Sequence, residues 1–100
     1  MTIQFSRVVF EEYTLIYFKL ATNIVPGILK KIKPPKVELN KGIILSGRGP
    51  IWLYGYLLHY YHPSRFIGIY DPRLGGAVIV ETHDPKYSVG EVKNVDFNFI

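Results

Sequence analysis

The chain has no cysteine at all, a single methionine and a single tryptophan among its 100 residues. Without thiols there can be no disulfide, no thiolate nucleophile and no sulfur-ligated zinc or iron, so any metal must be held by His, Asp, Glu or water. Acidic residues are also scarce, eight against twelve Lys and Arg, which leaves a net charge of +4. That balance favours an anionic partner such as a nucleotide or short nucleic acid, but falls short of the density of a histone-like tail. No apolar run approaches the roughly 20 residues that span a bilayer, and the opening MTIQFSRVVFEEY lacks the basic-then-apolar order of a secretory signal. The expectation is a cytoplasmic protein with no membrane partner. Internal repeats, linkers and low-complexity tracts are missing too, so residues 1–100 read as one domain.

What is present is apolar and aromatic. Hydrophobic residues make up 48% of the chain and fifteen side chains are Phe, Trp or Tyr. A chain of this length buries only about 60 to 70% of its unfolded surface, so part of that apolar content is expected in a subunit interface.

Residues 3–10 and 13–20, rich in Ile, Val, Phe and Tyr and separated by Glu11-Glu12, read as an antiparallel hairpin. ILKKIK after Pro26-Gly27 reads as a short helix stopped by Pro34-Pro35, and its Lys30, Lys31, Lys33 and Lys36 as a solvated face. GIILS at 42–46 and FIGIY at 66–70 are short apolar runs of the kind buried on both sheet faces. Between them Pro50 suits a first helical turn, Ile51, Tyr54, Leu58 and Tyr61 recur at helical spacing, and Pro63 ends the element. Strand, helix, strand makes a right-handed crossover with two parallel strands. Leu74-Gly75-Gly76 then turns the chain into AVIVE, and VDFNFI supplies a last strand. The fold class is therefore α/β: a small mixed sheet with an N-terminal hairpin and a central βαβ unit.

Ligands of such a unit collect beyond the carboxyl ends of its parallel strands. Ser46, Gly47, Arg48 and Gly49 lie there, with glycines for close approach, a hydroxyl donor and a guanidinium that grips phosphate oxygens. The run is neither a GK[ST] phosphate loop nor GxGxxG, and a tight turn with a surface arginine explains it equally well. FIGIY delivers Asp71 and Arg73 to the same edge, which gives anion binding two arginines and an acid; a turn capped by Asp71 with Arg73 as its ion-pair partner is the alternative. His62 belongs at the opposite edge, roughly 16 Å from Asp71 at ~3.3 Å per strand residue. The returning strand brings Thr82, His83 and Asp84 toward it, and two histidines with a carboxylate suit a divalent metal. His59 reads as a helix-surface residue.

The run GRGPIWLY, the HP that follows it and IYDPRLGGAVIVETH together resemble the small single-domain ring nucleases of type III CRISPR systems. These manganese-dependent enzymes are distant relatives of CARF sensor domains and are also described as poly(A)-preferring exoribonucleases. The resemblance is densest from Ser46 to His83. It implies a CARF-like fold, antiviral function, and cleavage of the second messenger cyclic tetra-adenylate to linear di-adenylate. It carries the catalytic roles onto His62, Asp71 and Arg73, a metal-ligand role onto His83 together with Asp71, and ligand binding onto Ser46 through Gly49. It also implies a homodimer stacking head to tail into tetramers or filaments around the ring, so that His62 and His83 of one dimer meet Asp71 and Arg73 of the next. Chemically, Mn2+ and the arginines would stabilise phosphate charge, His62 would act as acid or base, and the nucleophile would be either water or the RNA's own 2′-hydroxyl. Deadenylation of poly(A) RNA and non-catalytic binding of the cyclic nucleotide are the competing functions.

Overall fold

The computed structural model describes residues 3–95. Its centre is a six-stranded sheet in which the strands lie in chain order: β1 (Ile3–Val9), β2 (Tyr13–Leu20), β3 (Gly42–Gly47), β4 (Phe66–Asp71), β5 (Gly76–Thr82) and the two-residue β6 (Val92–Lys93). β1 and β2 form the expected antiparallel hairpin, with Phe5 opposite Phe18 and Val9 opposite Thr14. β3 and β4 are parallel, as the central unit requires, and β5 returns antiparallel from Gly76 to Thr82.

Three strands run parallel rather than two, because β2 also pairs parallel with β3, Tyr13 beside Gly42 and Phe18 beside Gly47. A parallel neighbour needs a crossover. Residues 21–41 provide it with only one 3-10 turn, Pro26–Lys30, where the sequence suggested a helix over ILKKIK. Pro34-Pro35 cuts short any α-helix, and the segment is held instead by Ile28, Leu29, Ile32 and Val37 packing on the core. The buried Tyr61 phenol ties it down by donating to the Pro35 carbonyl over 2.7 Å.

The one α-helix among the described residues, α1 (Ile51–Tyr60), covers one face of the sheet. Its inward residues are Leu53 and Leu57, both fully buried, continued by Tyr61 beyond its end. The face expected from Ile51, Tyr54, Leu58 and Tyr61 holds in part: Tyr61 is buried and Tyr54 and Leu58 pack against the core, but Ile51 is 88% exposed. IWLYGYLL is apolar nearly all round, so several three- and four-residue series fit it and spacing cannot choose between them. Ile16, Phe18, Ile43, Leu45 and Ile67 meet the helix from below. On the other face Leu15, Ile44, Phe66, Ala77 and Ile79 pack under Tyr87 and Val95 of the C-terminal segment.

That segment is fastened by Glu12, whose carboxylate accepts from Lys86 Nζ at 2.6 Å, the Tyr87 hydroxyl at 2.8 Å and Lys93 Nζ at 3.1 Å. These donors, Lys86 first, hold the Glu12 pKa down at about 2. The strand expected over 95–100 lies, apart from Val95, outside the described residues. No helix among the described residues is long and apolar enough to cross a membrane.

Candidate functional site

β2, β3 and β4 point their carboxyl ends to one edge of the sheet, and there the chain leaves β3 through Gly47, Arg48 and Gly49. Gly47 has φ +149°, and a Cβ on it would stand 2.5 Å from the Phe18 carbonyl oxygen, so only glycine fits. Its own carbonyl accepts from the Tyr54 hydroxyl at 2.5 Å, and burial pushes that phenol up to about 12. The turn is thus clamped from both sides, and Arg48 projects from it into solvent. Pro50, the N-cap of α1, has no side chain with which to cap the helix. Ser46 sits on the strand itself rather than in the turn and is 3% exposed. With Tyr17, Gly47, Arg48, Tyr70 and Pro72 it lines a cleft of about 220 Å³.

Asp71 and Arg73 lie at this same edge. One Asp71 oxygen accepts from the Arg73 backbone N–H at 2.9 Å, and the guanidinium reaches both carboxylate oxygens at 3.4–3.5 Å. Those contacts, the guanidinium's first, hold the Asp71 pKa below the usual carboxylate range. Arg73 remains 90% exposed, so the pair is a solvated ion pair within a turn.

The opposite edge carries the histidines. α1 ends at Tyr60, and His62 and Pro63 lead back into the start of β4. β5 arrives there with Thr82, and the His83 N–H donates to the Arg65 carbonyl at 2.9 Å, extending the ladder. His62, Glu81 and His83 place one ligand atom each within 4.8 Å of one another. A Glu81 oxygen lies 2.5 Å from His62 Nδ1 and 3.5 Å from His83 Nε2, and the two imidazoles meet edge to face at 5.5 Å. His83 Nε2 is also 3.3 Å from the His62 carbonyl oxygen. Two imidazoles and one carboxylate, two of the three well exposed, form a donor set suited to a divalent transition ion with water completing its shell.

The carboxylate here is Glu81, and the reading of Asp84 in that place is corrected. Asp84 is buried and already taken: its oxygens accept from the Lys86 backbone N–H at 2.9 Å and from Arg65 Nε at 2.7 Å, and its pKa is lowered by those bonds in that order. Glu81 escaped notice because simple alternation puts it on the face opposite the helix. Ile79 packs with the second face and Val80 with the helix side. A register shift between Ile67 and Gly68 pairs Glu81 with Ile67, whose side chain is on the helix side, so Glu81 turns toward His62 instead. The pattern Glu-x-His entering a turn was the visible signal. His59 is exposed on α1 and joins neither cluster. Asp71 and His83 sit at opposite ends of the β4/β5 ladder, where Asp71 faces Gly76 and Phe66 faces Thr82. One protomer therefore cannot bring these two residues to one ion.

Fold and site together define a small single-domain α/β protein with a basic, glycine-turned cleft at one sheet edge and an imidazole–carboxylate cluster at the other. Residues 17–94 match the family model described as CRISPR-associated protein (Cas_csx3), and the chain belongs to that family. A protein of Aquifex aeolicus (strain VF5), described only as uncharacterized, is 56% identical over 86 residues, covering 82% of this chain and 78% of the relative.

Proposed function

We propose that this CRISPR-associated protein is a metal-dependent ring nuclease that opens cyclic tetra-adenylate into linear di-adenylate and so silences the second messenger. The observation that carries the reading is the separation of two complementary half-sites on one sheet. A cleft lined by Arg48, with the exposed Arg73 at the same sheet edge, suits phosphates, and the His62–Glu81–His83 cluster suits proton transfer and a divalent ion. Neither half completes a phosphodiesterase site alone. Head-to-tail stacking of dimers brings the histidine edge of one copy over the cleft edge of the next, with the cyclic ligand between them.

Manganese held by Glu81 and His83, with water completing its shell, would supply charge stabilisation at the scissile phosphate. The chain's own groups do the rest. Arg48 and Arg73 hold phosphate oxygens through charge-assisted hydrogen bonds. Glu81 orients His62: with Nδ1–H donating to Glu81, Nε2 carries the lone pair and faces outward as the proton acceptor. Asp71 keeps Arg73 directed across the edge. The test is incubation of purified protein with labelled cyclic tetra-adenylate, with manganese or with chelator, and separation of the products. Linear di-adenylate that forms only with the metal is the expected result; intact ring under both conditions contradicts the proposal.

A further inference from the structure

The carboxyl edge holds a feature that phosphate binding does not use. Tyr17, Ser46 and Tyr70 occupy neighbouring positions on three adjacent strands. Tyr17 pairs with Ser46 across β2 and β3, and Leu45 pairs with Ile69 across β3 and β4, which carries the register on to Ser46 and Tyr70. All three stand on the face away from α1, in step with Leu15, Ile44 and Phe66. The result is a notch: two aromatic rings with a small side chain between them. Two interstrand steps separate the tyrosines by about 9.5 Å at ~4.8 Å each. A flat ring touching both needs about 7 to 8 Å, from two contacts of ~3.5–4.0 Å, a span within reach of two side chains that lean toward one another. The cleft of about 220 Å³ lies on this row, with Pro72 extending its apolar wall and Arg48 at its polar end. Lys19 Nζ lies 5.8 Å from the centre of the Tyr17 ring and adds a second positive charge beside the notch.

We infer that the Tyr17–Ser46–Tyr70 notch is a nucleobase slot, in which one purine of the ligand stacks on Tyr17 while Arg48 and Lys19 hold the phosphates flanking it. The inference rests on the ring-nuclease reading and adds to it a specificity-determining residue. Ser46 then serves as the floor of the slot: its smallness admits the base, and its burial between larger neighbours leaves little of it for phosphate.

The experiment measures equilibrium binding of labelled cyclic tetra-adenylate, with cyclic tetra-uridylate alongside, to the wild-type chain and to Tyr17→Ala, Tyr17→Leu, Tyr17→Phe and Arg48→Ala. Circular dichroism establishes which variants fold. Tyr17→Leu keeps apolar bulk without a ring face, so it serves if the alanine variant is unstable. Tyr17→Ala and Tyr17→Leu should bind cyclic tetra-adenylate about 5- to 150-fold more weakly, the worth of one stacked base, whereas Tyr17→Phe stays within about twofold. The wild-type preference for the adenylate ring over the uridylate ring should shrink in the ringless variants. Wild-type affinity in folded Tyr17→Leu together with weakened Arg48→Ala overturns the base slot and leaves the phosphate edge standing. Failure of the wild-type chain to bind either ring overturns the underlying reading as well.

Discussion

Replacing Gly47 by alanine should destabilise the protein strongly, and replacing Gly55 by the same residue should stabilise it. At Gly47 two independent costs add. The backbone sits at φ +149°, a conformation worth about 1–3 kcal/mol of strain to a residue with a Cβ. The new methyl would also stand 2.5 Å from the Phe18 carbonyl oxygen and 2.7 Å from the Phe18 ring. The first of these is main chain of a central strand and cannot swing aside, so overpacking contributes a further ~1–3 kcal/mol. A combined loss of about 2–4 kcal/mol, allowing for partial relaxation of the turn, lowers the melting temperature of a domain this size by about 8 to 30 °C. At Gly55 nothing lies within 4 Å and the residue is exposed in mid-helix. Alanine there gains about 0.5–1 kcal/mol from helix propensity and from a less flexible unfolded chain. Thermal and urea unfolding followed by circular dichroism measures both on one scale. A Gly47→Ala protein as stable as its parent would refute the clamped turn, and with it the account of how the ligand edge is held.

Acid should weaken the fold through Glu12. Its folded pKa is depressed to about 2, so its contribution is complete above the ordinary carboxylate value near 4.5 and is lost as pH falls from there toward 2. Glu12→Gln should therefore flatten the melting-temperature profile between pH 5 and 2, and parallel curves for parent and variant would count against the anchoring of the C-terminal segment. Tyr61→Phe removes the donor to the Pro35 carbonyl and should cost about 0.5–1.5 kcal/mol in urea unfolding, whereas an unchanged midpoint would show that the crossover is held by packing alone. Glu81→Gln keeps the shape of the histidine cluster but removes its charge; manganese should then raise the melting temperature less than in the parent, and an equal rise in both would exclude Glu81 as a ligand.

The hairpin, the strand–helix–strand unit and the opposite placement of His62 and Asp71 were legible because each rests on local signals: alternating apolar runs, prolines at 50 and 63, and the direction a chain must take through a crossover. The second parallel pairing was hidden, since residues 21–41 cross over with no regular helix for periodicity to reveal. Glu81 was hidden for another reason: a one-residue slip in the β4/β5 register reverses the face on which a side chain emerges, and no pattern in AVIVETH marks the slip. Tyr17 and Tyr70, 53 positions apart in the chain, become neighbours of Ser46 only when three strands align.

The central claim is that each working site joins the cleft edge of one copy to the histidine edge of another, and a mixing experiment tests it most directly. A His62→Ala chain retains its cleft but loses the cluster; an Arg48→Ala chain retains the cluster but loses its grip on phosphate. Each alone should cleave cyclic tetra-adenylate poorly, and His62→Ala should still bind it. Combined in equal amounts with manganese, they should recover part of the wild-type rate, because stacking pairs the intact cleft of one with the intact histidines of the other. A mixture as inactive as its components, under conditions where the wild-type chain cleaves the ring, would place the whole site within one copy and contradict the account.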